Sequence, residues 1–428
     1  RRWGAALPAE YQAANSPDEA MADLAVIEAM EAEQRALDLR LANDASGVTR
    51  LNVYARGEPL VLSDFMPVLE NVGLRVLTMS PFDALDEQGG AQIYTFSVQD
   101  EDRRALDLEA RGALVTKAIL AVAAGEAAND GLNSLVVSAG LTWREVDVLR
   151  AYSEYAFQLQ IVPSRQLLLR TLRTNPEPAR LLIGVFTQQF DPAAAQDAQQ
   201  RSAQLAAARE TLLDALERVT ALAEDRALRR LLGLMDATVR TNYFLHGGSE
   251  PTRRAGGVPY ISLKILSELL QPLVPSRLRA EVWVQSARMA GIHMRGARVA
   301  RGGLRYSDRP DDLRTEVLGL VRTQSVKNAV IVPAGSKGGF VTRLVFRDAK
   351  EMAEEVVAQY RTFISGLLDV TDNLVDDVVV RPDALVAHDE PDPYLVVAAD
   401  KGTATFSDIA NGVAADYGFW LDDAFASG

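Results

Sequence analysis

The 428-residue sequence predicts a multidomain protein of mixed class, in which α+β and α/β segments lie on either side of a helical block. Between 50 and 100, several short segments alternate apolar and polar residues, as half-buried strands do. From 103 to 240 the apolar residues recur at helical spacing instead. From 260 onward strand-like and helix-like segments alternate, which is typical of an α/β domain.

The first segment, 1–49, is predicted to be a helical lead-in, because 19–46 is rich in alanine and has apolar residues at helical spacing. The next segment, 50–112, is predicted to be a small α+β module. Its pattern is a strand at 50–56, a helix at 60–74 and then two strands, an order that suggests the split βαβ arrangement. Such a module binds a small ligand or pairs with a copy of itself, or else it is purely structural.

Residues 113–245 are predicted to form a helical domain. Turn-forming residues, including Asn129-Asp130-Gly131 and Asp191-Pro192, separate its helices. Its aromatic and leucine positions are most simply core contacts, and the segment shows no catalytic pattern. We therefore expect it to serve as a scaffold or a subunit contact.

The last segment, 250–428, is predicted to be an α/β domain. Its predicted strands are 260–266, 281–287, 294–300, 329–334 and 395–400. Its predicted helices are 314–328 and 348–374. The glycine-rich sequence GSKGG (335–339) is predicted to be a turn that follows a buried strand.

Composition excludes several classes of site. The sequence has no cysteine, so disulfides, thiolate nucleophiles and cysteine-ligated metals are ruled out. Three scattered histidines are too few for a convincing metal centre, and we expect none. No apolar run is long enough for a transmembrane helix, and the first residues do not resemble a signal peptide, so we expect a cytoplasmic protein.

Charge is distributed unevenly along the chain, whose formal net charge is −13. Residues 253–347 carry 17 basic and 6 acidic side chains, whereas 348–428 carry 4 basic and 17 acidic ones. The basic residues stand singly within apolar and glycine-rich segments rather than in a tract. That pattern favours a pocket for a small anion over a surface that follows nucleic acid.

The candidate chemistry lies in 298–428. Gly302 and Gly303 would let the backbone approach a ligand, and their N–H groups could bind a carboxylate. Gln324 and Lys327 are three residues apart, so they share one face of a helix, and both can donate to a carboxylate. Lys337, in GSKGG, is a candidate base or carbonyl activator, although a lone lysine of this kind is more often a surface or anion-stabilising residue.

Asp400 completes the set, because it ends a predicted strand and could exchange protons or act as the counter-ion of Lys337. Two lysines, a glutamine, two backbone donors and an aspartate suit a small substrate that has carboxylate groups and a reacting amine or imine. The sequence contains neither a GxxxxGK[ST] phosphate loop nor a GxGxxG dinucleotide fingerprint.

Several strings resemble the large bacterial NAD-dependent glutamate dehydrogenases. They are ARGGLRYSDR, RTEVLGLVRTQSVKNAVIVPAGSKGGF and VVAADKGTATFSDIANGVAADYGFWLDDAFASG, with RTNYF and YISLK upstream. GLTWREVDVLRAY and PLVLSDFMPVLENVGLRV resemble that family's helical and ACT-like regulatory regions. The resemblance covers most of the chain, and it implies an ACT-like module at 50–112 and a glutamate dehydrogenase substrate-binding and catalytic domain at 250–428.

The resemblance also implies roles for residues. Lys337 matches the lysine that activates the carbonyl or iminium carbon through a bound water, and Asp400 matches the aspartate that exchanges protons with the amino group. Gln324, Lys327, Gly302 and Gly303 match the residues that hold the substrate α-carboxylate. Arg301 stands where smaller relatives have a lysine for the side-chain carboxylate of glutamate. This departure keeps the charge but changes its geometry.

Other residues near these strings receive supporting roles. Arg305 and Asp308 are expected to be ion-paired supports near the pocket, whereas His293 and Trp283 are expected to pack within strands. The resemblance implies L-glutamate and 2-oxoglutarate as substrate and product, a homo-oligomer and an amino-acid effector. It also implies NAD as the cofactor, bound mainly by a Rossmann domain that we expect beyond residue 428.

A rival interpretation is a non-catalytic sensor or oligomerisation fragment, in which the α+β module and the helical domain bind an effector or a partner. A GxGxxG-bearing strand-turn-helix in an extended gene product would favour the enzyme. Nucleic-acid binding rests only on the basic segment, without stacking aromatics or a known motif, so we expect none. No membrane association is expected either.

Overall fold

The computed structural model describes residues 7–44, 46–86, 89–195, 197–251, 257–327, 334–399 and 404–427. By its internal contacts the chain divides into two compact units, Arg1–Val146 and Asp147–Gly428. No helix in the described part is long and apolar enough to cross a membrane.

The first unit is a four-stranded sheet with helices before, within and after it. Its helices are α1 (Ala9–Ala14), α2 (Pro17–Ala32), α3 (Leu62–Asn71), α4 (Ala113–Ala123), α5 (Leu135–Ser138) and the start of α6 (Trp143–Gln158). Its strands are β1 (Leu37–Asn43), β2 (Thr49–Ala55), β3 (Arg75–Asp86) and β4 (Gly89–Gln99).

The strand order of this sheet is β1-β2-β4-β3, and every neighbouring pair is antiparallel. Strands β2 and β3 are therefore parallel to each other, joined through α3 and separated by β4. This is the split βαβ arrangement that the sequence predicts.

The helix predicted over 19–46 is wrong in its second half. Helix α2 ends at Ala32, and Gln34 then takes a positive φ of 55°. Strand β1 begins three residues later and pairs with β2 in antiparallel register, Leu37 opposite Ala55. The alanine-rich spacing of α2 concealed the alternation of Leu37, Leu39 and Leu41, which suits a strand next to β2.

The second unit holds helices first and then a large sheet. Its elements after α6 are α7 (Arg165–Thr174), α8 (Pro176–Phe190), α9 (Ala198–Leu216), α10 (Leu222–Ala237), β5 (Thr238–Thr241), β6 (Tyr260–Leu266), α11 (Ser267–Leu270), β7 (Ala280–Ser286), β8 (Met289–Arg295), β9 (Arg301–Tyr306), α12 (Leu313–Lys327), β10 (Ser336–Thr342), α13 (Ala349–Asp369), β11 (Asn373–Val375), β12 (Val378–Val380), β13 (Val396–Ala399), α14 (Ala404–Asp416) and β14 (Ala426–Ser427).

Eight of these strands form a mixed sheet in the order β14-β13-β9-β10-β8-β7-β6-β5. The strands from β14 to β10 are parallel, and the remaining pairs are antiparallel. The two faces carry different helices. Phe340 of β10 contacts Tyr360 and Phe363 of α13, whereas a side chain at the neighbouring Gly339 would meet Val317 of α12.

Two predictions about strand boundaries are wrong. The strand predicted at 294–300 ends at Arg295, the last residue of β8, because 296–300 turn the chain toward β9. The predicted GSKGG turn is instead largely strand, because Ser336 to Thr342 form β10 between β8 and β9. The predicted strand at 329–334 falls almost entirely outside the described residues.

Candidate active site

The double glycine of RGGLRY lies inside a central strand. The prediction that a strand ends before it is wrong, since β9 begins at Arg301 and runs through both glycines. Gly302 is in register with Val397 and Gly303 with Ala398 of β13. A Cβ at Gly302 would lie 1.6 Å from the backbone oxygen of Ser336. The first need for glycine here is therefore close packing of β9 against the start of β10.

Gln324 reaches from α12 to this same point. Its Nε2 donates to the backbone oxygen of Arg301 at 3.0 Å. Its Oε1 is buried and has no hydrogen-bond partner within the described residues. A Cβ at Gly335 would lie 2.4 Å from that oxygen, and one at Gly302 would lie 3.2 Å from it. The glycines thus leave room for a glutamine that presents an open acceptor and a second amide hydrogen.

Lys337 is the second residue of β10, and it is half-buried. It is in antiparallel register with Met294 of β8, and the next residue, Gly338, is in parallel register with Leu304 of β9. A Cβ at Gly338 would lie 2.3 Å from Leu304 Cδ2. The glycines of GSKGG therefore allow tight strand packing, and Lys337 lies on a rigid strand rather than in a turn.

Two predicted residues cannot be fully placed. Asp400 lies outside the described residues, and so does the side chain of Lys327, which is the last residue of α12. The residue before Asp400, Ala399, is in register with Leu304, which is itself in register with Gly338. Ala399 and Gly338 are thus two strands apart, about 10 Å at the usual strand spacing.

The charged residues of β9 and its following loop differ in their surroundings. Arg301 is exposed at the start of the strand. Arg305 pairs with Glu316 of α12 at 3.3 Å, which ties the end of β9 to that helix. Asp308 is exposed and has no ion pair in the part of the chain that is described, because it lies in the loop beyond the strand end. Among the described residues, the expected ion pairing is therefore found for Arg305 and not for Asp308.

His293 and Trp283 are packed within strands. Trp283 is fully buried against Tyr155, and its Nε1 donates to Gln285 at 3.0 Å. His293 is also buried, and burial together with the charge of Arg295 lowers its pKa to about 3. The imidazole is therefore neutral at physiological pH.

Sequence reasoning missed a buried network of charges beside the site. Lys264 Nζ donates to Asp389 and to Asp392, both at 2.7 Å, and Arg295 pairs with Asp392 as well. Arg240 is fully buried and pairs with Asp389 and Asp372. The available signal was the presence of Lys264 and Arg295 in strands that are otherwise mostly apolar.

Burial and mutual charge in this network shift the pKa values of its members. Burial lowers the pKa of Lys264, and the charges of Arg240 and Arg295 act in the same direction against those of the two aspartates. Burial alone would raise the pKa of Asp392, but Arg295 and Lys264 hold it well below its usual range. Asp392 is therefore ionised in the folded protein near neutral pH.

The network fixes the segment that leads into β13. Arg295, which is opposite Ser336 in β10, donates to the backbone oxygen of Tyr394 at 2.6 Å. Trp420 Nε1 donates to the oxygen of Pro393 at 2.7 Å. Strand β13 then begins at Val396, in register with Arg301. These contacts thus fix β9, β10 and β13 relative to one another. Arg301 lies in β9, Lys337 lies in β10, and β13 is the strand before Asp400.

A second buried cluster fixes α12 at its beginning. Arg314 donates to Glu281 of β7 through two bonds, of 2.9 and 2.7 Å. Tyr155 of α6 donates to the same carboxylate at 3.0 Å, and Gln158 accepts from the backbone N–H of Arg314 at 2.9 Å. The helix that carries Gln324 is therefore anchored to both α6 and the sheet.

Comparison with known families identifies the segment that carries this site. Residues 211–428 match the family model described as the catalytic domain of bacterial NAD-glutamate dehydrogenase. The chain belongs to this family. Glutamate dehydrogenase models also match upstream: helical motif 3 at 127–192, the ACT3 domain at 35–111 and helical motif 2 at 1–30. The resemblance stated from the glycine-lysine strings is confirmed.

Individual relatives agree. A protein of Pseudomonas aeruginosa named NAD-specific glutamate dehydrogenase is 44% identical over 433 residues, which cover 98% of this chain and 26% of that protein. Proteins of the same name from Halomonas elongata and Mycobacterium tuberculosis are 42% and 41% identical and match the whole chain. The chain thus spans about a quarter of the length of these relatives.

Proposed function

We propose that this chain supplies the substrate-binding and catalytic side of an enzyme that oxidatively deaminates L-glutamate with NAD. The observation that carries the proposal is the meeting of β9, β10 and α12. There the side-chain amide of Gln324 donates to the backbone oxygen of Arg301, in space left open by Gly302 and Gly335. Lys337 lies on the adjoining strand. The match of this segment to the catalytic domain of glutamate dehydrogenases supports the assignment.

In the proposed reaction, Gln324, Lys327 and the N–H groups of Gly302 and Gly303 hold the α-carboxylate of glutamate. Arg301 binds the side-chain carboxylate. Both of its neighbours in register, Val396 and Gly335, have uncharged side chains. The open Oε1 of Gln324 is an acceptor suited to the substrate amino group.

The chemistry proceeds in two stages. NAD, when bound, would accept the hydride that leaves Cα of glutamate, and an iminium would remain at that carbon. Water activated by Lys337 attacks that carbon, and Asp400 exchanges the protons that release ammonium and 2-oxoglutarate. NAD supplies only the hydride acceptor, and the sequence contains no GxGxxG fingerprint to hold it. We therefore assign to these residues the amino-acid side of the reaction alone.

Further features are part of the same proposal. We infer that the split βαβ module around β2, α3, β3 and β4 is ACT-like and responds to an amino-acid effector. We also propose that the protein is a cytoplasmic homo-oligomer.

The test replaces Lys337 by alanine in the full-length enzyme and measures glutamate-dependent formation of NADH. Loss of the activating amine is expected to lower kcat by about 100- to 10,000-fold. Lys350→Ala is the matched control, because Lys350 is an exposed lysine of α13 whose contact with Glu354 is 3.8 Å long. Near-normal turnover by Lys337→Ala, or an equal loss in both variants, would contradict the proposal.

A further inference from the structure

A pocket of about 280 Å³ lies at the end of α13, and the proposed reaction makes no use of it. Its apolar wall includes Leu245, Leu368, Val380 and Phe419, and its polar wall includes His246 and Arg381. Strand β12, which carries Val380, belongs to a hairpin with β11 whose valines are exposed. We call this space the α13-end pocket.

The carboxylate beside this pocket is already satisfied. Asp369, the last residue of α13, accepts hydrogen bonds from His246, Asn242 and Tyr260 at 2.8–2.9 Å and from Tyr417 at 2.6 Å. Burial alone would raise the pKa of Asp369, but its hydrogen bonds and the charge of His246 lower it. A fourfold-bonded carboxylate has little capacity left for a ligand cation.

Arg381, the cation that lines the pocket, uses fewer of its hydrogen-bonding groups. Arg381 Nε donates to Asp372 at 3.2 Å, and neither Nη of Arg381 makes a hydrogen bond to a described residue. Asp372 is itself bound by two nitrogens of Arg240, at 2.8 and 3.0 Å. Arg381 therefore shares a carboxylate that another arginine already neutralises, and its guanidinium can bind an anion in the pocket.

Size and lining define the ligand class. An apolar cavity of about 150 Å³ accommodates benzene, so this pocket holds an apolar body of that size together with an acidic group. We propose that the α13-end pocket binds a small monocarboxylate with an apolar body, held by Arg381 against the apolar wall. This assignment does not depend on the proposed catalytic function.

The pocket is separate from the candidate active site but connected to it through packing. Lys337 precedes Gly338 in β10, and alternate residues of a strand point to opposite faces. Phe340, on the same face as Gly338, contacts Phe363 of α13, whereas Gln324 belongs to α12 on the other face. A ligand at the end of α13 would thus act on β10 from the side opposite the bound glutamate.

The experiment measures binding of phenylacetate to the whole chain by calorimetry. Val380→Glu places a carboxylate in the pocket wall, whereas Val378→Glu places one two residues away on the same strand, at an exposed site outside the lining. We expect millimolar binding to the unmodified chain, weakened at least about tenfold by Val380→Glu and less than about twofold by Val378→Glu. Neutral phenylacetamide should bind at least about tenfold more weakly than phenylacetate.

Each alternative result overturns the proposal. No binding to the unmodified chain would show that the pocket does not take this class of ligand. Equal weakening by the two glutamates would mean that the pocket is not where the probe binds. Equal binding of phenylacetamide would remove the role of Arg381. If glutarate displaced phenylacetate and Val380→Glu had no effect, the probe would be bound in the candidate active site instead.

Discussion

Gly302 and Gly319 stand in opposite steric situations, although both lie close to the candidate site. A Cβ at Gly302 would meet the backbone oxygen of Ser336, which cannot move without shifting β10. A Cβ at Gly319, on the exposed side of α12, would meet nothing within 4 Å. The two glycines therefore give a matched pair of substitutions.

We predict that Gly302→Ala lowers the free energy of unfolding by about 3 kcal/mol, because the added methyl group forces β9 and β10 apart. The same shift moves Arg301 away from Gln324, so glutamate turnover should fall as well. Urea denaturation of the unit that contains the large sheet measures the first effect, and steady-state kinetics of the full-length enzyme measures the second.

Gly319→Ala should instead raise the free energy of unfolding by about 0.5–1 kcal/mol, since alanine restricts the unfolded chain and favours a helix interior. Turnover should be unchanged. A loss of stability at Gly319 similar to that at Gly302 would mean that close strand packing is not the reason for glycine in β9.

At this scale the sequence predicted identities better than conformations. The structure places Gly302, Gly303 and Lys337 in the neighbouring strands β9 and β10, but the glycines were expected to interrupt strands. Whether a glycine makes a turn or allows a close approach depends on its neighbours across the sheet, Ser336 and Leu304 here. Those neighbours come from other parts of the chain, so local spacing could not reveal them.

Among the elements, the segment before β13 is held in place by buried charge. Asp392 accepts from Lys264 and from Arg295, which belong to β6 and β8. We predict that Asp392→Asn lowers the free energy of unfolding by about 3–5 kcal/mol near neutral pH, because Arg295 and Lys264 each lose a buried anionic partner, although Lys264 retains Asp389. Denaturation curves across a range of pH provide the measurement.

The pH dependence follows from the lowered pKa of Asp392. Because the folded protein holds the proton less tightly than the unfolded chain, the stabilisation is complete above the unfolded pKa, near 3.8, and is lost as pH falls through the lower folded value. The difference in the free energy of unfolding between the unmodified chain and Asp392→Asn should therefore become smaller below pH 4. A gap independent of pH would contradict this account.

Glu390→Gln is the control for the same segment. Its side chain is 70% exposed, and its partner Arg298 is also largely exposed, so the pair is screened by water. We expect Glu390→Gln to change the free energy of unfolding by less than about 0.5 kcal/mol.

Helix α2 illustrates how far local sequence defines an element. Ser16 and Glu19 form a capping box, in which the backbone N–H of Ser16 donates to Glu19 at 2.7 Å and the Ser16 side chain accepts from the backbone N–H of Glu19 at 3.3 Å. Such signals are local and predict a helix start. The end of α2 had no comparable signal, because β1 exists through its pairing with β2, and that pairing is a tertiary contact.

We predict that Ser16→Ala lowers the free energy of unfolding by about 1 kcal/mol, because α2 loses its N-terminal cap. Ser63→Ala is a suitable control, since Ser63 is exposed in α3 and its side chain bonds to the adjacent Asp64, at 3.2 Å, and to no other residue that the structure describes. A larger effect at Ser63 than at Ser16 would contradict the capping argument.

The whole chain joins two compact units, and each has its own buried core. One cluster groups Tyr11, Ile27 and Ile93 in the first unit, and another groups Val284, Phe340 and Phe363 in the second. Cores that share no residues can unfold as separate cooperative transitions. The division falls between Val146 and Asp147, within α6, so residues of this helix belong to both units.

Scanning calorimetry of the two stability variants tests this independence. Two transitions are expected, with Ser16→Ala lowering the midpoint of only one, by roughly 2–4 °C, and Asp392→Asn lowering only the other, by more. Ser16 lies in the first unit and Asp392 in the second, so each substitution marks its own core. If both variants moved a single shared transition, the two units would unfold as one cooperative body, and the stability of the catalytic segment would depend on the sheet that precedes it.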